Sequence, residues 1–227
     1  MAVFAVTPNV AWATFLAPDN GTGTVDLPTG DLDGDGVALS LDGLPPGEPV
    51  IDTRIYGNHN TNEGPGGSLG GDLQTWDSFF DITFDGATYQ RTLTIPMQMQ
   101  SASAPRTPGN PVQTFDTDMF AMQGQITGDP DFDLLRITGG TGFGMPSPGH
   151  TTLTLQPGGN WAVDSFFDIT YRIDFVGAPG GPFAGMSGST TDLNHFIGTP
   201  EPGTWVLLGL GALSLVPPLR RRLRLAR

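Results

Sequence analysis

The sharpest chemistry in the chain sits at Asp31-Leu32-Asp33-Gly34-Asp35-Gly36. Alternate Asp side chains on a tight loop converge three carboxylates. Calcium takes six to eight oxygen ligands, so such a loop suits it. Gly36 allows a sharp turn, Val37 can lend a carbonyl, and Asp42 falls at position 12 counted from Asp31. The expected calcium ligands are therefore Asp31, Asp33, Asp35 and Asp42. The rival reading is a solvated Asp-Gly turn leading into a strand at Val37. Asp129-Pro130-Asp131-Phe132-Asp133 is a second, weaker acidic cluster.

The Asp31–Asp42 series resembles the EF-hand loop pattern. It departs by ending in Asp rather than Glu and by having no helical pattern on either side. Other chemistry is sparse. His59, His150 and His195 are far apart and form no local metal-binding spacing. No nucleophile-elbow pattern surrounds any serine. Gly139-Gly140-Thr141-Gly142 precedes no helix, which a phosphate loop requires. Paired carboxylates for glycoside cleavage stay open, because Asp is abundant and pairing in space is invisible in sequence. No catalytic constellation is assembled, and the expectation is a protein that is not an enzyme.

The elements that must position these residues are strands. Gly (33) and Pro (21) punctuate the chain, and no stretch of the body sustains helical periodicity. Alternation recurs instead. Over 87–100, Tyr89, Leu93, Ile95, Met97 and Met99 share a face. Over 165–176, Phe167, Ile169, Tyr171, Ile173 and Phe175 share a face. Over 118–127, Phe120, Met122 and Ile126 oppose Met119, Gln123 and Gln125. Shorter strands are expected at 37–41, 50–56, 134–138 and 151–155. One wet face per strand marks antiparallel sheets. The predicted fold is all-β, an antiparallel sandwich-like domain over 20–198 with long Gly/Pro-rich loops at 57–72 and 101–111. Binding would sit most easily on those loops.

Asp77-Ser78-Phe79-Phe80-Asp81-Ile82-Thr83 recurs as Asp164-Ser165-Phe166-Phe167-Asp168-Ile169-Thr170. The favoured reading is two equivalent strands in related half-domains, each covering its own part of the core. A duplicated ligand site using the outward Asp residues is the other.

Charge is divided along the chain. Before Pro200, five arginines face 22 acidic residues, a balance of −17, with no lysine. Such a body repels nucleic acid and anionic membrane. Absence of cysteine excludes disulfides and thiolate chemistry. Residues 1–19 read either as the remnant of a signal peptide, with Met1 inside its apolar core, or as a first strand or disordered end.

The C-terminus is the most distinctive segment. Pro200-Glu201-Pro202 is followed by an uncharged apolar run from Thr204 to Leu219 and then by Arg220, Arg221, Arg222, Arg224 and Arg227. As a helix the run spans roughly 24 Å, short of a full crossing unless Arg side chains snorkel. Trp205 suits one interface, and the arginines should stay cytoplasmic. Pro200 and Pro202 bias the segment to an extended form that a protease cleft can read.

This order resembles the PEP-CTERM sorting signal over residues 200–227, with 199–203 as the linker from the body. The resemblance implies processing at Pro200, Glu201 and Pro202 by an exosortase-type membrane protease, with transient anchoring in the inner membrane. It further implies export to the cell envelope, cell surface or medium, often alongside extracellular polysaccharide. The expected role is a structural or adhesive matrix protein. A calcium-assisted carbohydrate-binding module and a glycoside hydrolase are the alternatives.

Overall fold

The computed structural model describes residues 14–26, 30–36, 38–47 and 49–199. The expected membrane helix and sorting signal lie outside these residues. Among the described residues, no helix is long and apolar enough to cross a membrane.

Eleven strands alternate with turns: β1 (Thr14–Ala17), β2 (Asp31–Asp33), β3 (Leu39–Ser40), β4 (Pro49–Pro65), β5 (Asp72–Asp85), β6 (Gln90–Ser103), β7 (Val112–Thr127), β8 (Phe132–Gly139), β9 (Pro148–Leu155), β10 (Trp161–Gly177) and β11 (Ser187–Thr199). All pair antiparallel in one sheet. The order β10–β11–β2–β4–β5–β6–β7–β8 closes when β8 pairs back onto β10. The sandwich-like arrangement is thus a closed ring of eight strands, which leaves few open edges for another chain to pair with. β8 and β9 run in tandem in the gap between β7 and β10. β8 fills the part beside Met122–Thr127, and β9 the part beside Val112–Asp118.

The break between β8 and β9 is a single 3-10 turn at Thr141–Phe143. A Cβ on Gly140 would lie 2.6 Å from the Phe120 carbonyl oxygen, and Gly140 itself has φ +102°. The glycine run at 139–142 therefore serves close backbone approach. Opposite it, β7 carries a bulge: Ala121 pairs with Gln100, but Met119 pairs with Ser101. The extra residue resets the alternation. Met119 and Met122 both face inward, whereas the sequence set them on opposite faces.

The other alternations hold. Leu93, Ile95, Met97 and Met99 are buried on β6, and Phe167, Ile169, Tyr171, Ile173 and Phe175 on β10. Three expectations change. The stretch 57–65 is strand, not loop, because β4 continues to Pro65. Residues 14–17 belong to the domain, because β1 pairs with Trp161–Asp164. The repeated segments share one core rather than each covering a part of its own. Residues 77–83 lie in β5 and 164–170 in β10, which stand opposite each other in the ring, four strands apart either way round. Their inward residues enter the same core, and the Phe80 and Tyr171 rings meet at 6.1 Å. Alternating aromatics supply the large side chains that fill such an interior.

Candidate functional site

Two of the four carboxylates expected to hold calcium are engaged by an arginine. Asp31 lies on β2, a paired strand rather than a loop. Its Oδ2 accepts from Arg54 Nη2 at 2.6 Å, and its Oδ1 accepts from the Gly57 amide at 3.2 Å. Asp33, two residues on, meets the same guanidinium at 3.1 Å. Burial pushes the Asp31 carboxyl up, against the pull of the Gly57 amide and Arg54. The Asp35 amide donates to Asn194 and the Asp42 amide to Thr190, which ties the two ends of the segment to different points on β11. Among the described residues, no three His, Cys, Asp or Glu side chains converge on a metal position. Of the segment 31–42, Asp31 and Asp33 lie on β2 and bind an arginine, whereas Asp35 and Asp42 lie beyond that strand.

The second acidic cluster follows the same logic. Arg91 binds Asp129 through two nitrogens at 2.6 and 2.7 Å and also reaches Asp131. Hydrogen bonding from Arg91 holds the Asp129 carboxyl below the usual carboxylate range. Tyr89 Oη donates to Asp131 at 2.8 Å. Arg106 binds Glu63 and Asp72, while Arg136 and Arg172 share Asp174. Arg54, Arg91, Arg106 and Arg136 thus clamp acidic side chains between neighbouring strands or loops, and Arg172 pairs within β10, where scarce positive charge offsets the repulsion of many carboxylates.

The three histidines, unremarkable in sequence, all gather beside the first Phe of the repeat. His59 stacks on Phe79 at 5.7 Å and 25°. His195 lies 5.1 Å from Phe166, and His150 lies 6.5 Å from it. Nδ1 of His195 bonds Asp168, and Nδ1 of His150 bonds Asp116 at 2.9 Å. The outward Phe of each repeat is therefore the centre of a surface platform. No sequence signal linked these side chains to the histidines.

The first platform opens onto a groove. The groove holds about 540 Å³ and crosses the outer surfaces of β4 to β8. Its row of facing residues follows from register: His59 pairs with Asp77, Asp77 with Gln98, Gln98 with Gln123, and Gln123 with Thr138. At about 4.8 Å per strand the row is about 19 Å long. An adjoining hollow of about 290 Å³ shares Asp77, Gln98 and Gln123 with it and extends the groove past Asn60.

The backbone is irregular where it borders this groove. β4 bulges twice, between Tyr56 and His59 and again between His59 and Asn62. Gly57 takes φ +67° in the first bulge, where a Cβ would press on the Phe79 ring at 3.2 Å. Asn60 takes φ +53° in the second, the sole non-glycine residue at positive φ among the described residues. Asn tolerates that conformation better than most side chains, and here its amide donates to Asp77 at 2.7 Å. Pro96 sits inside β6 opposite Phe79, although Pro cannot donate to a ladder. Bulges re-aim side chains, and local strain collects at functional surfaces.

The end of β4, the turn before β5 and the 104–111 loop border a wider cleft of about 890 Å³. Arg106 forms part of its wall and is already bound to Glu63, Asp72 and the Val25 carbonyl. No aromatic side chain lines the cleft. The groove, with its stacked rings and row of amides, is the better-equipped surface. The chain matches no family model, no curated protein and no solved structure.

Proposed function

We propose that this chain is an exported structural or adhesive component of the cell envelope or extracellular matrix, without enzymatic activity. Its tail holds it transiently in the inner membrane, and an exosortase-type protease releases it. The observation that carries this reading is the ordered sequence Pro200-Glu201-Pro202, apolar run and arginine cluster. An apolar run bordered by arginines resists full translocation, so the body lies on the outer side.

The fold is compatible with that fate. β11 ends at Thr199, where it pairs with Asp31, and the sorting segment begins one residue later. Cleavage beyond that point leaves every ladder of the sheet intact. A closed sheet without cysteine also needs no oxidative folding outside the membrane.

Intact-mass measurement of envelope and medium fractions from the native host tests the proposal. The expected result is a species shortened by the C-terminal tail, and its loss when Pro200, Glu201 and Pro202 are all replaced by Ala. Full-length protein confined to the cytoplasm overturns it.

A further inference from the structure

We infer that the outer groove of β4–β8 binds a neutral glycan chain in extended form. The choice of a glycan as partner rests on the envelope reading above; the groove itself does not. Three properties of the surface point to this ligand.

The first is a flat apolar wall beside polar groups. Phe79 is 36% exposed, with the His59 ring stacked at 5.7 Å and the Tyr56 ring tilted at 5.8 Å. One face of a pyranose ring carries C–H groups that lie well on an aromatic surface, while its rim carries hydroxyls. Binding pockets commonly combine such an apolar surface with a few placed polar groups.

The second is the chemistry of the row. Gln98 and Gln123 are exposed, and Gln123 Nε2 donates to Gln98 Oε1 at 3.3 Å. Each amide keeps donors and acceptors for a partner, which matches hydroxyls that both donate and accept. The charged groups nearby are satisfied: Asp77 by Asn60 and Arg136 by Asp174. A polyanion would also meet the strongly negative body. A neutral chain meets neither difficulty.

The third is shape. The row crosses five strands and continues into the adjoining hollow, so the surface is elongated rather than a closed pocket. Sugar residues in an extended glycan repeat at about the spacing of strands in a sheet. Several can therefore meet His59, Asp77, Gln98 and Gln123 in turn.

The second repeat supplies a built-in comparison. Its Asp164 pairs with Thr14 and Thr152 rather than with an amide row. Phe166 should therefore contribute little to binding.

The test is affinity electrophoresis of the purified full-length chain in mild detergent. Gels contain laminarin, soluble starch, dextran, galactomannan or xyloglucan, with alginate as the anionic comparison. At least one neutral glycan should retard the chain. Phe79→Ala should weaken that retardation about tenfold or more, and Gln98→Ala/Gln123→Ala should weaken it comparably. Phe166→Ala and Phe143→Ala should leave it within twofold. Circular dichroism establishes that each variant is folded, and the Gln variants alter only exposed side chains.

Retardation by no neutral glycan overturns the inference. So does binding to alginate alone, or equal retardation of the wild type and the folded Gln98→Ala/Gln123→Ala variant. Sorting does not enter this assay. Correct tail removal without glycan binding discards the groove and keeps the envelope reading; binding by a chain that stays cytoplasmic does the reverse.

Discussion

Arg106 is the residue whose loss should be felt most widely outside the apolar core. Its side chain is only 5% exposed. It donates to Glu63 and Asp72 at 2.8 Å each, to the Val25 carbonyl at 2.8 Å and to Thr24 Oγ1 at 3.1 Å. Its guanidinium also lies 5.4 Å from the centre of the Phe115 ring. One side chain thereby joins the 18–26 loop, the end of β4, the start of β5 and the 104–111 loop. Arg106→Met keeps much of the stem packing and removes the charge.

Breaking a buried ion pair costs about 3–5 kcal/mol, because the partner charge is left uncompensated. The Asp72 side chain is 35% exposed and recovers water, whereas Glu63 at 19% recovers less. The expected loss is therefore about 3 kcal/mol, toward the lower end. For a domain of this size that lowers Tm by about 6–12 °C. Urea unfolding followed by Trp fluorescence measures it. The double variant Arg106→Met/Glu63→Gln should recover at least about 1 kcal/mol, because the stranded carboxylate is gone. A loss below about 1 kcal/mol, or strict additivity with Glu63→Gln, would refute the reasoning.

Phe80→Ala should destabilise by about 3–5 kcal/mol in the same assay, because the ring is fully buried against Tyr171 and Phe196. Gly188→Ala should cost about 1–3 kcal/mol by thermal melting, since a Cβ there would run into the Asp42 carbonyl and the Phe175 ring. The folded-state pKa of Asp129 lies below its unfolded value of 3.8, so its pairing with Arg91 stabilises the fold above that pH. The stability gap between wild type and Arg91→Met should be about 2 kcal/mol at neutral pH and should shrink as pH falls below 3.8 through the folded pKa. A gap that widens in acid would contradict it. EDTA should leave Tm unchanged, because Asp31 and Asp33 hold Arg54; a fall in Tm on chelation would restore a calcium site.

Alternation alone placed Leu93, Ile95, Met97 and Met99 on the buried face of β6, and Phe167 to Phe175 on that of β10. Such patterns are local, because successive strand side chains point to opposite faces. Local pattern failed where a partner strand changed the count. The bulge at Phe120 exists because β7 must pass the turn that separates β8 from β9, and nothing within 118–127 announces that turn. The calcium reading of Asp31, Asp33, Asp35 and Asp42 meets a related limit, since the first two bind Arg54. A D-x-D-x-D-G run fits a loop or a strand equally, and only the arrival of Arg54 from β4 decided which.

The sequence by itself determined the class of the body, the charge division and the ordered tail, because composition and period-two alternation are properties of neighbouring residues. Tertiary structure alone decided that the repeats face each other in one ring, that four arginines clamp carboxylates between strands or loops, and that His59, Asp77, Gln98 and Gln123 form one row. Each of these depends on strand register, which joins residues tens of positions apart through hydrogen bonds that no local pattern encodes.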